Sequence, residues 1–304
     1  MDFKVKQGDC FEVLKSFDRQ SIDCCITSPP YWNLRDYEHP DQLGLEKTPE
    51  KYIQKLVSIF QELKCVLKNT GTFWLNLGDT YRNKNLVGIP WRTALALQQD
   101  GWNLRSDIIW HKNQAMPESC LDRPSRSHEY IFLFTKSLQY WYDQDSIREE
   151  HKWAAKDRRF VYGPTNKTGK TIEGKYACSH NGSYNKIGKN IRTVWSLNTV
   201  PYKDAHFAVF PEKLVEPCIK AGCPENGLVL DPFCGSGTVG VVALRYNRNF
   251  IGIELNPEYC EIARKRGKSI KPTLFQSAHS HEEIKKDLKI QRNGLKFMVI
   301  KESK

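Results

Sequence analysis

The chain has 304 residues and a formal net charge of +11. That length suffices for one large α/β domain or two modest ones, with a core that needs no disulfide or metal staples. With 39% hydrophobic and 27% charged residues, and no apolar run near the roughly 20 residues of a membrane-spanning helix, the composition excludes a largely disordered chain and a membrane-embedded one. Met1-Asp2-Phe3-Lys4 meets an acid at once and leads into no apolar stretch, so a secretory signal is not expected and a cytoplasmic location is.

The charge is unevenly placed. Residues 151–192 hold ten Lys/Arg against Asp157 and Glu173, a net +8. Residues 264–304 hold twelve against Glu282, Glu283, Asp287 and Glu302, again +8, which leaves −5 for the remainder. A slightly acidic body with two basic segments fits a polyanionic partner such as nucleic acid, and also fits an ordinary solvated basic surface. The ten cysteines include no CxxC pair; reduced, mostly buried thiols are expected and no metal site. Cys24 and Cys25, adjacent in an apolar run, are expected on opposite faces of a strand.

In chain order, residues 3–7 alternate as a strand and end at Gly8-Asp9. Cys10 to Phe17 carries helical spacing. Ile22 to Ile26 is a strand stopped by Thr27-Ser28-Pro29-Pro30, because two prolines can neither continue a ladder nor enter a helix interior. Thr48-Pro49-Glu50 opens a helix running to about Leu67. Thr72 to Leu77 is a strand, Pro90 to Gln99 a helix, and Asp107–Trp110 and Tyr130–Thr135 two more strands. From Lys112 to Leu197 the pattern degrades into Gly, Asn, Ser, Lys and Tyr. Pro211 then opens a helix to Gly222, and a strand (227–230), a helix (238–246), a strand (250–253) and a helix (258–266) follow. Strand–helix alternation is an α/β signature. Residues 267–304 are basic and weakly patterned.

Two loops carry chemistry. Leu230-Asp231-Pro232-Phe233-Cys234-Gly235-Ser236-Gly237-Thr238-Val239-Gly240 leaves a strand and opens a helix, and Glu254 ends the next strand. Residues 235–240 match G-x-G-x-x-G, so a nicotinamide or flavin dehydrogenase is one reading. Against it, Asp231-Pro232-Phe233-Cys234 widens the loop before the first glycine, which suits an adenosyl ligand across the strand end better than a pyrophosphate. In either case a carboxylate at 254 would accept ribose hydroxyls. The second loop is Thr27-Ser28-Pro29-Pro30-Tyr31-Trp32. Its prolines fix carbonyls toward a ligand, Ser28 adds an acceptor, and Tyr31 and Trp32 add flat faces, together a site for a planar base with an exocyclic amine. Pro217-Cys218 is the dipeptide of a nucleophilic cysteine enzyme, but its amphipathic helical setting reads as a buried thiol.

The sequence resembles the amino-methylating DNA methyltransferases of the N4-cytosine/N6-adenine group. Thr27–Trp32 resembles their S/D/N-P-P-Y/F/W catalytic motif, and Asp231–Gly237 their DPFxGSGT cofactor motif. Phe250–Pro257, His206–Glu212 and Gly8-Asp9-Cys10 resemble the accompanying segments. The catalytic motif precedes the cofactor motif by some two hundred residues, as in the circularly permuted β arrangement. The resemblance covers about residues 5–266. It implies a Rossmann-like fold with a mixed, mostly parallel sheet, helices on both faces and a loop-rich target recognition region. Residues 1–111 would be the catalytic half, 112–197 the recognition region, 198–266 the cofactor half and 267–304 a basic extension.

The resemblance further implies S-adenosylmethionine as cofactor and double-stranded DNA as substrate. The Ser form of the motif favours cytosine N4 over adenine N6. Ser28, Pro29, Pro30 and Tyr31 would be catalytic. Asp9, Thr27, Phe207, Pro211, Asp231, Pro232, Phe233, Gly235, Ser236, Gly237, Thr238, Glu254 and Asn256 would form the cofactor site. Trp32, Lys152, Arg158, Arg159, Lys170, Lys186 and Lys189 would meet DNA. A cognate restriction endonuclease fits such a modification enzyme as partner; a homodimer, a non-catalytic DNA-binding protein on the same fold, and an RNA or glutamine N5 methyltransferase stay open.

Overall fold

The computed structural model describes residues 1–36, 39, 42–150, 187–198 and 211–270. Residues up to Lys271 form one unit. Ten strands and six α-helices run in the order β1 (Phe3–Gln7), α1 (Cys10–Leu14), β2 (Ile22–Thr27), α2 (Pro49–Val66), β3 (Leu67–Leu77), β4 (Tyr81–Arg82), β5 (Asn85–Leu86), α3 (Ile89–Gln99), β6 (Asn103–His111), β7 (His128–Thr135), β8 (Val194–Ser196), α4 (Glu212–Gly222), β9 (Leu228–Asp231), α5 (Thr238–Arg245), β10 (Asn249–Glu254) and α6 (Pro257–Ser269) among the described residues.

Eight strands form one sheet in the order β1-β10-β9-β2-β3-β7-β6-β8. β1, β10, β9, β2 and β3 are mutually parallel; β7 is antiparallel to β3 and β6, and β8 runs parallel to β6. This is the mixed, mostly parallel Rossmann-like sheet. β2 pairs with β9, so the loop after β2 and the loop after β9, far apart in the chain, leave neighbouring strands.

Periodicity explains the two cores. Phe73 and Leu75 of β3 pack with Leu14, Tyr52, Phe60 and Leu97 of α1, α2 and α3. Trp74, pointing the other way, packs with Cys218, Ile219, Val242 and Ala263 of α4, α5 and α6. Helices therefore cover both faces, as a parallel sheet requires. Cys25 joins the first core and Cys24 the second, as the alternation of β2 demands. Helix α2 starts as its sequence predicts: Thr48 caps it by accepting from the Lys51 N–H, and Pro49 sits in the first turn.

Three features depart from the sequence pattern. β3 begins at Leu67 because Ile22 of β2 pairs with it across a register shift. The β4–β5 hairpin, too short for a periodic signal, turns on Asn83 and Lys84, both at positive φ. β8 lies in the main sheet although it falls where the pattern degrades, and β7, expected as a strand, pairs between β3 and β6 within the same 112–197 stretch. Ladder pairing supplies to β8 the regularity that its three residues lack. Residues 151–186, with Lys152, Arg158, Arg159, Lys170 and Lys186, lie outside the described residues, as do Phe207 and 271–304.

Candidate active site

The loops at the C-terminal ends of β1, β2, β9 and β10 open on one edge of the sheet, and winding reverses between β9 and β2. Ligands bind open α/β sheets at such a point. A cavity of about 960 Å³ occupies it, lined among others by Asp9, Ser28, Tyr31, Asp231, Gly235 and Glu254. The two loops singled out by their sequences thus share one cavity.

On the β9–β10 side, Asp231 is buried at the strand end. Its Oδ1 accepts from Thr27 Oγ1 at 2.6 Å and from the Phe233 N–H at 3.1 Å. Burial pushes its pKa up to about 7; the two hydrogen bonds oppose that rise and the neighbouring Glu254 charge adds to it. Glu254 accepts the Gly235 N–H on Oε2 (2.8 Å) and the Asn256 N–H on Oε1 (2.9 Å). Burial raises its pKa too, against those backbone donors. Gly235 has φ +50°, and a Cβ built there meets no atom within 4 Å beyond its chain neighbours; its backbone fronts open cavity, the place where a side chain would exclude a ligand. Ser236 and Thr238 also line the cavity, and Arg266 holds their hydroxyls at 2.9 and 3.1 Å.

Asp9 and Asn256 line the cavity and also cap helices: Asp9 accepts from the Phe11 and Glu12 N–H groups, and Asn256 from that of Glu258. Pro232 and Phe233 complete this wall. Three acidic groups, an open glycine loop and an aromatic ring suit a cationic adenosyl sulfonium: carboxylates for ribose hydroxyls and positive charge, apolar surface for the base.

On the β2–β3 side, Ser28 Oγ donates to Tyr31 OH (3.2 Å), which donates to Glu129 Oε2 (2.6 Å). Asn76 Nδ2 reaches Tyr31 OH at 2.6 Å, Glu129 Oε2 at 2.9 Å and Ser28 Oγ at 3.3 Å. Lys112 pairs with Glu129 Oε1 and lies over the Trp110 ring. The Tyr52 hydroxyl donates to the Pro30 carbonyl (2.9 Å) and fixes the second proline. Gly78 is required here, since a Cβ at that position would come within 2.5 Å of Tyr31 Cε2.

Sequence reasoning missed Asn76, Glu129, Lys112 and Trp110. Asn76 had a signal: a lone amide inside the apolar run Phe73–Leu77 must find a partner when buried. Glu129, at the head of the Tyr130–Thr135 run, gave only a weak one.

Some expected site residues are placed differently. Trp32 is 3% exposed and packs in the first core, with Nε1 donating to the Glu46 carbonyl at 2.9 Å. It therefore offers no open face to DNA, because burial and a satisfied indole N–H make it structural. Pro211 is the residue preceding α4 and does not line the cavity. Thr27 and Gly237 lie just behind the lining residues; Thr27 acts on Asp231, and Gly237 (φ +80°) starts α5. Lys189 is ion-paired with Glu149 at 3.1 Å, away from the cavity lining. Cys218 is buried and hydrogen-bonded to the Leu214 carbonyl; burial pushes its thiol up, so it is no nucleophile. Among the described residues all nine cysteines are free and no metal-binding cluster occurs.

Known proteins resemble this chain in sequence and in fold. The DNA methylase family matches residues 22–265. The chain is 43% identical over 289 residues to the type II methyltransferase M.Cfr9I of Citrobacter freundii, covering 86% of each. Its fold is shared with the PvuII DNA methyltransferase (cytosine-N4-specific), at a TM-score of 0.64 and 22% identity over 93% of this chain and 89% of that one. It is also shared with a DNA modification methylase of Thermus thermophilus complexed with S-adenosyl-L-methionine, at a TM-score of 0.58 and 24% identity over 87% of this chain and 94% of that one. The family match spans both loops of the cavity, and the chain belongs to the N6/N4 family of DNA methylases.

Proposed function

We propose that this DNA methyltransferase transfers a methyl group from S-adenosylmethionine to the exocyclic N4 of a cytosine swung out of duplex DNA, as the modification enzyme of a type II restriction–modification system. The observation that carries this reading is the meeting of the Ser28-Pro29-Pro30-Tyr31 loop with the Asp231–Gly235 loop and Glu254 in one cavity. Cytosine rather than adenine is favoured by the serine at position 28, and the cytosine-N4-specific structural relative agrees with it. The catalytic loop preceding the cofactor loop in the chain, with β1 beside β10, supports the circularly permuted β class with an SPPY motif.

The bound cofactor supplies an electrophilic methyl on sulfonium. The chain's residues do the positioning. Glu254 would accept the ribose hydroxyls, Asp9 would sit near the adenine amine, and Asp231, Pro232, Phe233, Gly235, Ser236, Thr238 and Asn256 would enclose the rest. The N4 lone pair is delocalised into the pyrimidine and is a weak nucleophile. Ser28 Oγ and the Pro29 carbonyl, accepting its two hydrogens, would draw nitrogen toward sp³ and stabilise the charge that develops there. Holding that pair in line supplies most of the acceleration. Base extrusion costs a few kcal/mol, offset by stacking on Tyr31. Lys189 and the basic residues 152–186 are assigned to the DNA backbone. A restriction endonuclease sharing the site, a cytoplasmic location and a homodimer accord with this role; among the described residues no helix is long and apolar enough to cross a membrane.

The test is incubation with duplex DNA and methyl-labelled S-adenosylmethionine, followed by digestion to nucleosides. Label in N4-methylcytosine is expected. Label in N6-methyladenine reverses the base assignment, and label in C5-methylcytosine rejects the mechanism.

A further inference from the structure

We propose that Ser28, Tyr31 and Glu129 form a proton path that removes the amine proton of the target base, with Glu129 the terminal acceptor and Asn76 and Lys112 its positioning residues. This rests on the reading that amine methylation takes place at Ser28.

The direction of the path follows from hydrogen-bond inventory. A carboxylate has no hydrogen to give, so at 2.6 Å the Tyr31 hydroxyl must donate to Glu129 Oε2. The same carboxylate oxygen lies 2.9 Å from Asn76, which identifies that amide atom as nitrogen. Asn76 therefore donates to Tyr31 OH as well, at 2.6 Å. Having given its only hydrogen, Tyr31 OH can only accept from Ser28, 3.2 Å away. The Ser28 hydrogen is thereby committed inward, and Ser28 Oγ is left to present a lone pair to the cavity. A serine so arranged accepts from a substrate N–H and cannot donate to it.

Three strands build this chain: β2 delivers Ser28 and Tyr31 through its loop, β3 carries Asn76, and β7 carries Glu129. The cluster is shielded, with Asn76 1% exposed and the Glu129 side chain 12%. Burial, with the Glu129 charge beside it, holds the Tyr31 hydroxyl well above its usual range. Tyr31 thus passes a proton on without resting as the phenolate. Lys112 balances the Glu129 charge.

The step balances. As the N4–CH₃ bond forms and the S–CH₃ bond breaks, the electron pair of the broken bond stays on sulfur. The proton shed by N4 passes to Ser28 Oγ, the serine proton to Tyr31 OH, and the tyrosine proton to Glu129. Product base and Glu129 end neutral, and no further reagent is consumed. Lys112, still charged, faces a neutral acid until the proton leaves to solvent.

The experiment compares wild type with Glu129→Gln, Glu129→Asp, Tyr31→Phe and the Glu129→Gln/Tyr31→Phe double variant in single-turnover methylation. Cofactor affinity is read by calorimetry, DNA affinity by a gel-shift titration, and folding by thermal midpoint. Glutamine keeps an acceptor for Tyr31 but takes no proton, so about a 10²-fold slower step is expected, the size of a general-base contribution, with both affinities retained. Tyr31→Phe keeps the ring and breaks the path, with a similar loss. The double variant is expected no slower than either single one, as groups acting as a unit behave. Glu129→Asp restores part of the rate. A glutamine variant as fast as wild type, a loss lying wholly in binding, or a multiplicative double variant overturns the path. If Glu129→Gln fails to fold, Tyr31→Phe decides in its place: a wild-type rate overturns the path. A wild-type protein that methylates no DNA removes the functional reading itself, a result distinct from these.

Discussion

Thr27 Oγ1 donates a 2.6 Å hydrogen bond to Asp231 Oδ1, buried, across 204 positions of sequence. It ties the end of β2 to the end of β9, and so the loop beginning at Ser28 to the loop beginning at Pro232. The bond sets the spacing between the group that would hold the target amine and the groups that would hold the cofactor. Thr27→Val keeps the shape and leaves a buried carboxyl one donor short, which costs about 1–3 kcal/mol. Denaturant midpoints should show that loss, with cofactor affinity reduced as well.

Asp231 also makes stability depend on pH. Its pKa is about 7 in the folded chain, chiefly through burial, against about 4 for an unfolded aspartate. The folded state therefore binds the proton more readily, and this group's contribution is fully present below about pH 4 and lost as pH rises through about 7. Asp231→Asn is expected to flatten that decline. Urea unfolding of the two proteins across the window checks it, and parallel declines would show that another group is responsible.

Ser28→Ala removes an acceptor without touching the β9–β10 wall. Turnover should fall by about 10²-fold or more, the range seen when one preorganised polar contact to a transition state is deleted. Cofactor affinity by calorimetry should be nearly unchanged. An equal loss in both would place Ser28 in the cofactor site.

Gly235→Ala should act in the opposite sense. Apart from its chain neighbours, no protein atom lies within 4 Å of the added methyl, so no overpacking follows; the left-handed backbone alone costs about 1–2 kcal/mol. The methyl enters the cavity, and cofactor binding is expected to drop well beyond what the stability loss explains. Calorimetry alongside thermal midpoints separates the two.

Trp32→Ala tests the reassignment of that residue. A buried indole with a satisfied N–H is worth about 3–5 kcal/mol on truncation. The expected result is a large fall in unfolding free energy. A well-folded variant with weakened DNA binding would return Trp32 to the DNA interface.

Covalent constraint and residue period were legible along the chain. Two prolines end β2 and stiffen the loop that follows; Gly235 and Gly237 permit positive φ at the start of α5; alternation sends Cys24 and Cys25 into different cores. These are local effects, visible in a few adjacent residues, and they located both loops, Asp231 and Glu254. Whatever depends on pairing between distant strands emerged from the assembled sheet. Leu67 became strand because Ile22 lies beside it. Trp32, flat and apolar, could have faced a base or the core until Leu43 and Glu46 took their places around it. Glu129 resembles any solvated acid in sequence, yet β7 sets it beside β3, where the hydrogen bonds of Tyr31 and Asn76 converge on its carboxylate. A charge acquires its role from the groups it is buried with, and those arrive only when the sheet closes.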